Sequence, residues 1–179
     1  YMSLMHEKEK GEYRKQIEKL LDKVGTTNIT NTNCGNTQTN NVQLNNYGKE
    51  DLFIVLKSKF QNSNNLGVRS VGECAGTIEI IEEKQIQNIM CENRNKYGKF
   101  NFITGKSSGD TLLTIPGSAN TINFVIVGAD GVWTDLVGVK CIGAYFSLPE
   151  SHFMWKGKCN VPDPLMLSTK DKIENFKDD

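Results

Sequence analysis

The chain has 179 residues, with 21 Lys plus Arg against 21 Asp plus Glu and a formal net charge of zero. That balance gives no support to a nucleic-acid or anionic-membrane partner, both of which need a positive field, and it leaves self-association open. No apolar run approaches the roughly 18 residues of a membrane span, and no signal-peptide pattern is read at the N-terminus, with a leader ahead of Tyr1 left open.

Residues 6–24, HEKEKGEYRKQIEKLLDKV, predict a helix built from strong helix formers. Tyr13, Ile17, Leu20 and Val24 follow one another at spacings of four, three and four, an a/d stripe on one face. Glu12, Glu18 and Lys19 flank that seam, and Gly25 stands where a helix stops. A helix this short is marginal alone, so the stripe needs a partner. Either it packs on its own C-terminal domain or it associates with copies of itself in a dimer or trimer.

Residues 26–51 are rich in Asn, Thr and Gln and carry few apolar side chains. Read simply, they are a solvated linker. In the alternative, in-register copies held by the preceding coil stack their polar side chains as a β-stalk. One sequon, Asn28-Ile29-Thr30, fits a glycosylated surface.

The run from Glu7 to Leu52, with EKLLDKVG, TNITNTN and QTNNVQLNNYGKEDL in order, resembles a segment found in uncharacterised proteins of giant DNA viruses. There a short charged coil passes into an Asn-rich strip ending in a similar phrase. The likeness covers about the first quarter of the chain, and Cys34-Gly35 departs from it. The family's frequent Cys/His finger before the coil is missing here. The resemblance implies a viral origin and association through the coil, and no activity.

From Leu52 the composition turns apolar. Leu52–Leu56 predicts a buried strand or one helical turn, residues 61–68 a loop, and Thr77–Ile81 a strand. Residues 82–92, EEKQIQNIMCE, predict a short helix with Ile86, Ile89, Met90 and Cys91 on one face and leading glutamates at its positive end. KFNFITG and TLLTIP predict strands. TINFVIV is the strongest strand and, apolar on both faces, is expected to be central. Asp130-Gly131 predicts a hairpin turn, with Val132, Trp133 and Leu136 on the returning strand. Residues 137–148 and 152–155 predict further strands, Pro162 and Pro164 an extended exit, and 168–179 a surface helix capped at Ser168 or Thr169. The fold class is α+β and β-dominated: an N-terminal amphipathic helix (1–25), an Asn/Thr-rich stalk or linker (26–51), a β-rich globular domain with one short helix (52–165) and a tail (166–179).

Five cysteines allow at most two bridges within a chain. They are either reduced thiols or, in an extracellular or virion-surface protein, two disulfides drawn from Cys74, Cys91, Cys141 and Cys159 with Cys34 left over. Bridges 74–91 and 141–159 would close loops of similar length, and 91–141 is a further option. No catalytic constellation is legible. Cys141, His152 and Cys159 make at most an irregular three-ligand metal set, and Cys with His152 a nucleophile pair without local support. Gly105-Lys106-Ser107 lacks phosphate-loop spacing, and Gly128–Gly131 reads as a turn. Tyr145, Phe146, Phe153 and Trp155 crowd together as core or as a partner-binding patch.

The sequence therefore predicts a non-enzymatic structural or attachment protein with no cofactor. It would assemble through its own coil and contact other protein subunits, without nucleic acid or a membrane span, on a virion or extracellular surface. The alternatives are an intracellular interaction module in the host cytoplasm and a pilin-like fibre subunit with a C-terminal disulfide loop.

Overall fold

A computed structural model describes residues 29–43, 52–81, 84–104 and 119–177. The helix expected at 6–24, with its seam of Tyr13, Ile17, Leu20 and Val24, lies outside them, as do the TLLTIP strand and the Gly105–Ser107 loop.

The described residues form eight antiparallel strands in sequential order, β1 (Ile29–Gln43), β2 (Leu52–Asn64), β3 (Arg69–Ile81), β4 (Lys84–Asn95), β5 (Gly98–Thr104), β6 (Ala119–Ala129), β7 (Lys140–Ser147) and β8 (His152–Cys159). They close into a barrel. Closure is made by β1, which pairs with β2 from Asn31↔Asn64 to Gln43↔Leu52 and with β8 from Ile29↔Cys159 to Asn36↔His152. The Asn-rich strip read as a stalk or linker is thus largely the closing strand. Over Asn31–Asn36 it is paired on both sides and from Thr37 to Gln43 with β2 alone; a strand makes such main-chain pairs whatever side chains it carries.

Inside the barrel the alternation is clean on β2, where Ile54, Leu56, Ser58, Phe60 and Asn62 are buried and the residues between them are exposed. The polar Ser58 and Asn62 in that inward row hide a strand that runs on to Asn64. The turn after it is held by Asn64, whose Oδ1 accepts from Leu66 N at 3.0 Å and Val68 N at 3.1 Å.

From Lys84 onward the helix expected at 82–92 is strand β4, residues 82 and 83 lying outside the described ones. Gln87 and Cys91 point inward while Ile86 and Met90 point out, an inverted pattern that disguises period two as a helical face. Pairing with β3 on one side and β5 on the other overrides the helix propensity of its Lys, Gln and Glu. β6, expected to be covered on both faces, buries only Asn120, Ile122, Phe124 and Ile126; Val127 on its outer wall is exposed. On β6 only the inward face is core. The hairpin expected at Asp130-Gly131 is a short 3-10 helix, η1 (Gly131–Leu136), which buries Val132, Trp133 and Leu136 beneath the barrel.

The C-terminal helix α1 (Asp163–Glu174) starts ahead of the expected cap, because Pro164 sits in its first turn, where a missing N–H costs nothing. Asp163 at its start and Lys172 at its end suit its dipole. Met166 and Thr169 are buried, and Met166 joins the cluster of Trp133, Leu136 and Val161. Lys172 pairs with Asp135 of η1. Asn95 Oδ1 ties the β4–β5 turn to η1, accepting from Trp133 Nε1 at 3.2 Å and Tyr97 N at 2.9 Å. The expected β-dominated class with helix at the C-terminus is therefore present, as a closed barrel with one end covered.

Two disulfides staple neighbouring strands, Cys74–Cys91 across β3–β4 and Cys141–Cys159 across β7–β8, each between directly opposed residues. Each closes a loop whose constraint on the unfolded chain is worth about 2–4 kcal/mol. Such bonds belong to proteins that mature in an oxidising environment. No described helix is long and apolar enough to cross a membrane.

Proteolysis of the unreduced protein with mass spectrometry is expected to yield linked peptides for 74–91 and 141–159; a 91–141 link would contradict the pairing. The Cys74→Ala/Cys91→Ala variant should lose about 2–4 kcal/mol in urea unfolding.

Candidate functional site

The barrel interior is layered. At its centre runs a chain of rings, Phe60 to Phe102 at 6.4 Å between centroids, Phe102 to Phe124 at 4.6 Å and Phe124 to Trp155 at 5.1 Å. Above it lie Ile54, Leu56, Ile78, Ile80 and Ile122. Below it the core continues to Trp133, Leu136 and α1.

The ring layer is positioned by what is missing opposite it. Gly143 and Gly157 face each other on β7 and β8, and a Cβ on either would land in the Trp155 indole. A bulky ring can lie flat against the wall only where the wall carries no side chain. Tyr145 and Phe153 stack beside it with centroids 5.3 Å apart and an interplanar angle of 16°.

Large rings and branched aliphatics leave a cavity of about 90 Å³ between the isoleucine layer and the ring layer. Its wall is apolar apart from the hydroxyl-bearing Ser58, Thr104 and Tyr145. Ile89 N donates to Thr104 Oγ1 at 3.2 Å. The Cys74–Cys91 disulfide forms part of the lining. Among the described residues no acidic, basic or imidazole side chain lines it, so they offer the space dispersion contacts and a few hydroxyls.

The residues singled out from sequence are distributed as follows. Cys74, Cys91, Cys141 and Cys159 are all oxidised, so neither a metal set nor a nucleophile pair can be drawn from Cys141, Cys159 and His152. His152 Nδ1 lies 3.2 Å from Pro149 O in the β7–β8 turn. Among the described residues no three His, Cys, Asp or Glu side chains group as metal ligands. Asp130, in the expected turn, accepts from Lys99 N at 2.7 Å and has a structural role.

Tyr145, Phe153 and Trp155 are brought together in the cavity wall and do not form an exposed patch. Phe146, on the opposite face of β7, is 0% exposed. The sequence reading missed Ser58, Ile78, Phe102, Ile122 and Phe124 as lining residues. The signal that could have found them is the inward parity shared by Leu56, Ser58 and Phe60 on one strand and Ile122 and Phe124 on another, which marks one face of one barrel.

No family model, curated protein or solved structure matches the chain.

Gly157→Ala is expected to displace Trp155, lowering stability by about 1–3 kcal/mol and shifting tryptophan emission and near-ultraviolet circular dichroism. An unchanged tryptophan signal would contradict the placement of the ring.

Proposed function

We propose that this protein is a binding module that takes a small apolar molecule into the interior of a disulfide-stapled barrel, in an oxidising, extracellular setting. The observation that carries the reading is the cavity of about 90 Å³ at the barrel's centre, apolar on nearly every side. An eight-stranded barrel is wide enough either to be filled by its own side chains or to hold one small ligand. Here glycines stand opposite the largest rings, and the wall beside them is only partly filled. The two disulfides support the setting. The described lining supports binding in preference to chemistry, because among those residues hydroxyls stand with no acid or base beside them.

A second reading, attachment or assembly with other protein subunits, is favoured by the outer wall. Met90 and Ile103 are directly paired there, and Ile86 lies on the same face of β4. Met90 is 58% and Ile86 54% exposed. Association through the seam of Tyr13, Ile17, Leu20 and Val24, with a trimer as one form, belongs to this reading, as does a virion surface.

Xenon and benzene separate the two. On the first reading, xenon gives a saturable shift in its magnetic resonance, and benzene raises the melting temperature as expected for a ligand that binds only the folded state. Ile78→Trp, which fills the cavity, abolishes both. Absence of either effect in the unaltered protein would overturn the reading. On the second, Met90→Lys lowers the mass seen by light scattering at micromolar concentration, and a monomer before and after overturns it.

A further inference from the structure

Below the ring layer lies a second cavity of about 30 Å³. It shares Phe102, Phe124 and Trp155 with the larger one, so the two adjoin at these rings. Its character differs. Asn62, Asn64 and Asn93 line it, and among the described residues no charged side chain does.

Asn64 is committed, its Oδ1 accepting the two turn amides. Asn62 and Asn93 are not. They are 7% and 1% exposed, and among the described residues the buried Oδ1 of each has no hydrogen-bond donor. Both amides point inward by strand parity, Asn62 after Ser58 and Phe60 on β2, Asn93 after Cys91 on β4. Gly72 on β3 pairs with Phe60 on one side and Asn93 on the other, and supplies no side chain between them. Buried carbonyl oxygens are almost always satisfied in folded proteins, and two open ones facing one small space ask for a donor.

We propose that this lower cavity is a subsite for a neutral hydroxyl group, so that the barrel's ligand is a small alcohol-like amphiphile with its apolar body among the isoleucines and its hydroxyl toward Asn62 and Asn93. The proposal rests on the binding reading above. The cavity exceeds the roughly 10–15 Å³ that a water-sized group needs. A carboxylate or an ammonium would each be a buried charge with no counter-charge among the described lining residues. A hydroxyl donates one hydrogen bond and brings no charge.

The test compares 1-butanol with its isomer methyl propyl ether, which matches it in size and lacks the donor, and with butyrate. All three are titrated into the full chain with its disulfides intact, followed by thermal shift and by tryptophan emission. Butanol is expected to bind about tenfold more tightly than the ether, the factor for one net hydrogen bond, and butyrate more weakly than either. The Asn62→Leu/Asn93→Leu variant should lose the preference while still binding the ether. Equal affinity for alcohol and ether in the unaltered protein overturns the proposal, and that arm needs no variant to fold. A preference that survives in a folded double variant overturns it as well. Nuclear Overhauser contacts from the carbinol protons to the Asn93 side-chain amide support it, and contacts to Ile54 and Ile80 instead overturn it. Failure of all three compounds, together with xenon and benzene, removes the binding reading itself; binding of the apolar probes without alcohol selectivity removes only the subsite.

Discussion

The structure depends on one backbone constraint, the pairing of β1 with both β2 and β8. A sheet of seven strands has two free edges, each a row of unpaired N–H and C=O groups and each a template for another chain. Inserting one more strand satisfies both at once and turns an open sheet into a wall with an inside. The strand that does so is the one richest in Asn and Thr. That is physically reasonable, because its contribution is to the ladder and main-chain bonds do not depend on side-chain hydrophobicity.

Closure then sets the problem of filling a cylinder. The lower end is packed by η1 and α1, with Trp133 and Met166 at their contact with the core. The middle is crossed by Phe60, Phe102, Phe124 and Trp155, with Trp155 lying against the glycine pair 143 and 157. These rings are rigid and wide, and rigid groups inside a curved wall leave gaps that aliphatic side chains would collapse into. The cavities on either side of the ring layer follow from that choice of residues. One is apolar and the other is lined by three amides, so the interior has a direction along the barrel axis.

The disulfides act on the same wall. Both join strands that already pair, so they add nothing to topology. They restrict the unfolded chain and lock register at two points, β3 against β4 and β7 against β8. A one-residue slip would turn every inward side chain outward. In a barrel whose inward rows contain Ser58, Asn62, Gln87 and Asn93, hydrophobicity alone specifies register less strongly than usual. Covalent links between opposed residues supply part of the missing specification.

By itself the sequence determined the β-rich character after Leu52, the strand at TINFVIV, the presence of helix near the C-terminus and the four cysteines available for bridging. These are local properties: β-branched runs, turn residues and cysteine spacing act over a few positions. It misjudged residues 82–92, because a strand with Gln inside and Ile and Met outside has the same apolar spacing as a helix face. It took the Asn-rich strip for a stalk or linker, because nothing in a polar strand announces which edges it will close. It placed Tyr145, Phe153 and Trp155 together but not their direction, since whether neighbouring aromatics point into a core or out of it depends on the parity of the strand that bears them. Only the tertiary structure decided that there is an inside, which residues of separate strands share it, and that two of them present amide oxygens without a partner among the described residues to one small space. Those facts arise from closure, which joins the first strand to the last across more than a hundred residues of chain, and no local pattern carries information over that distance.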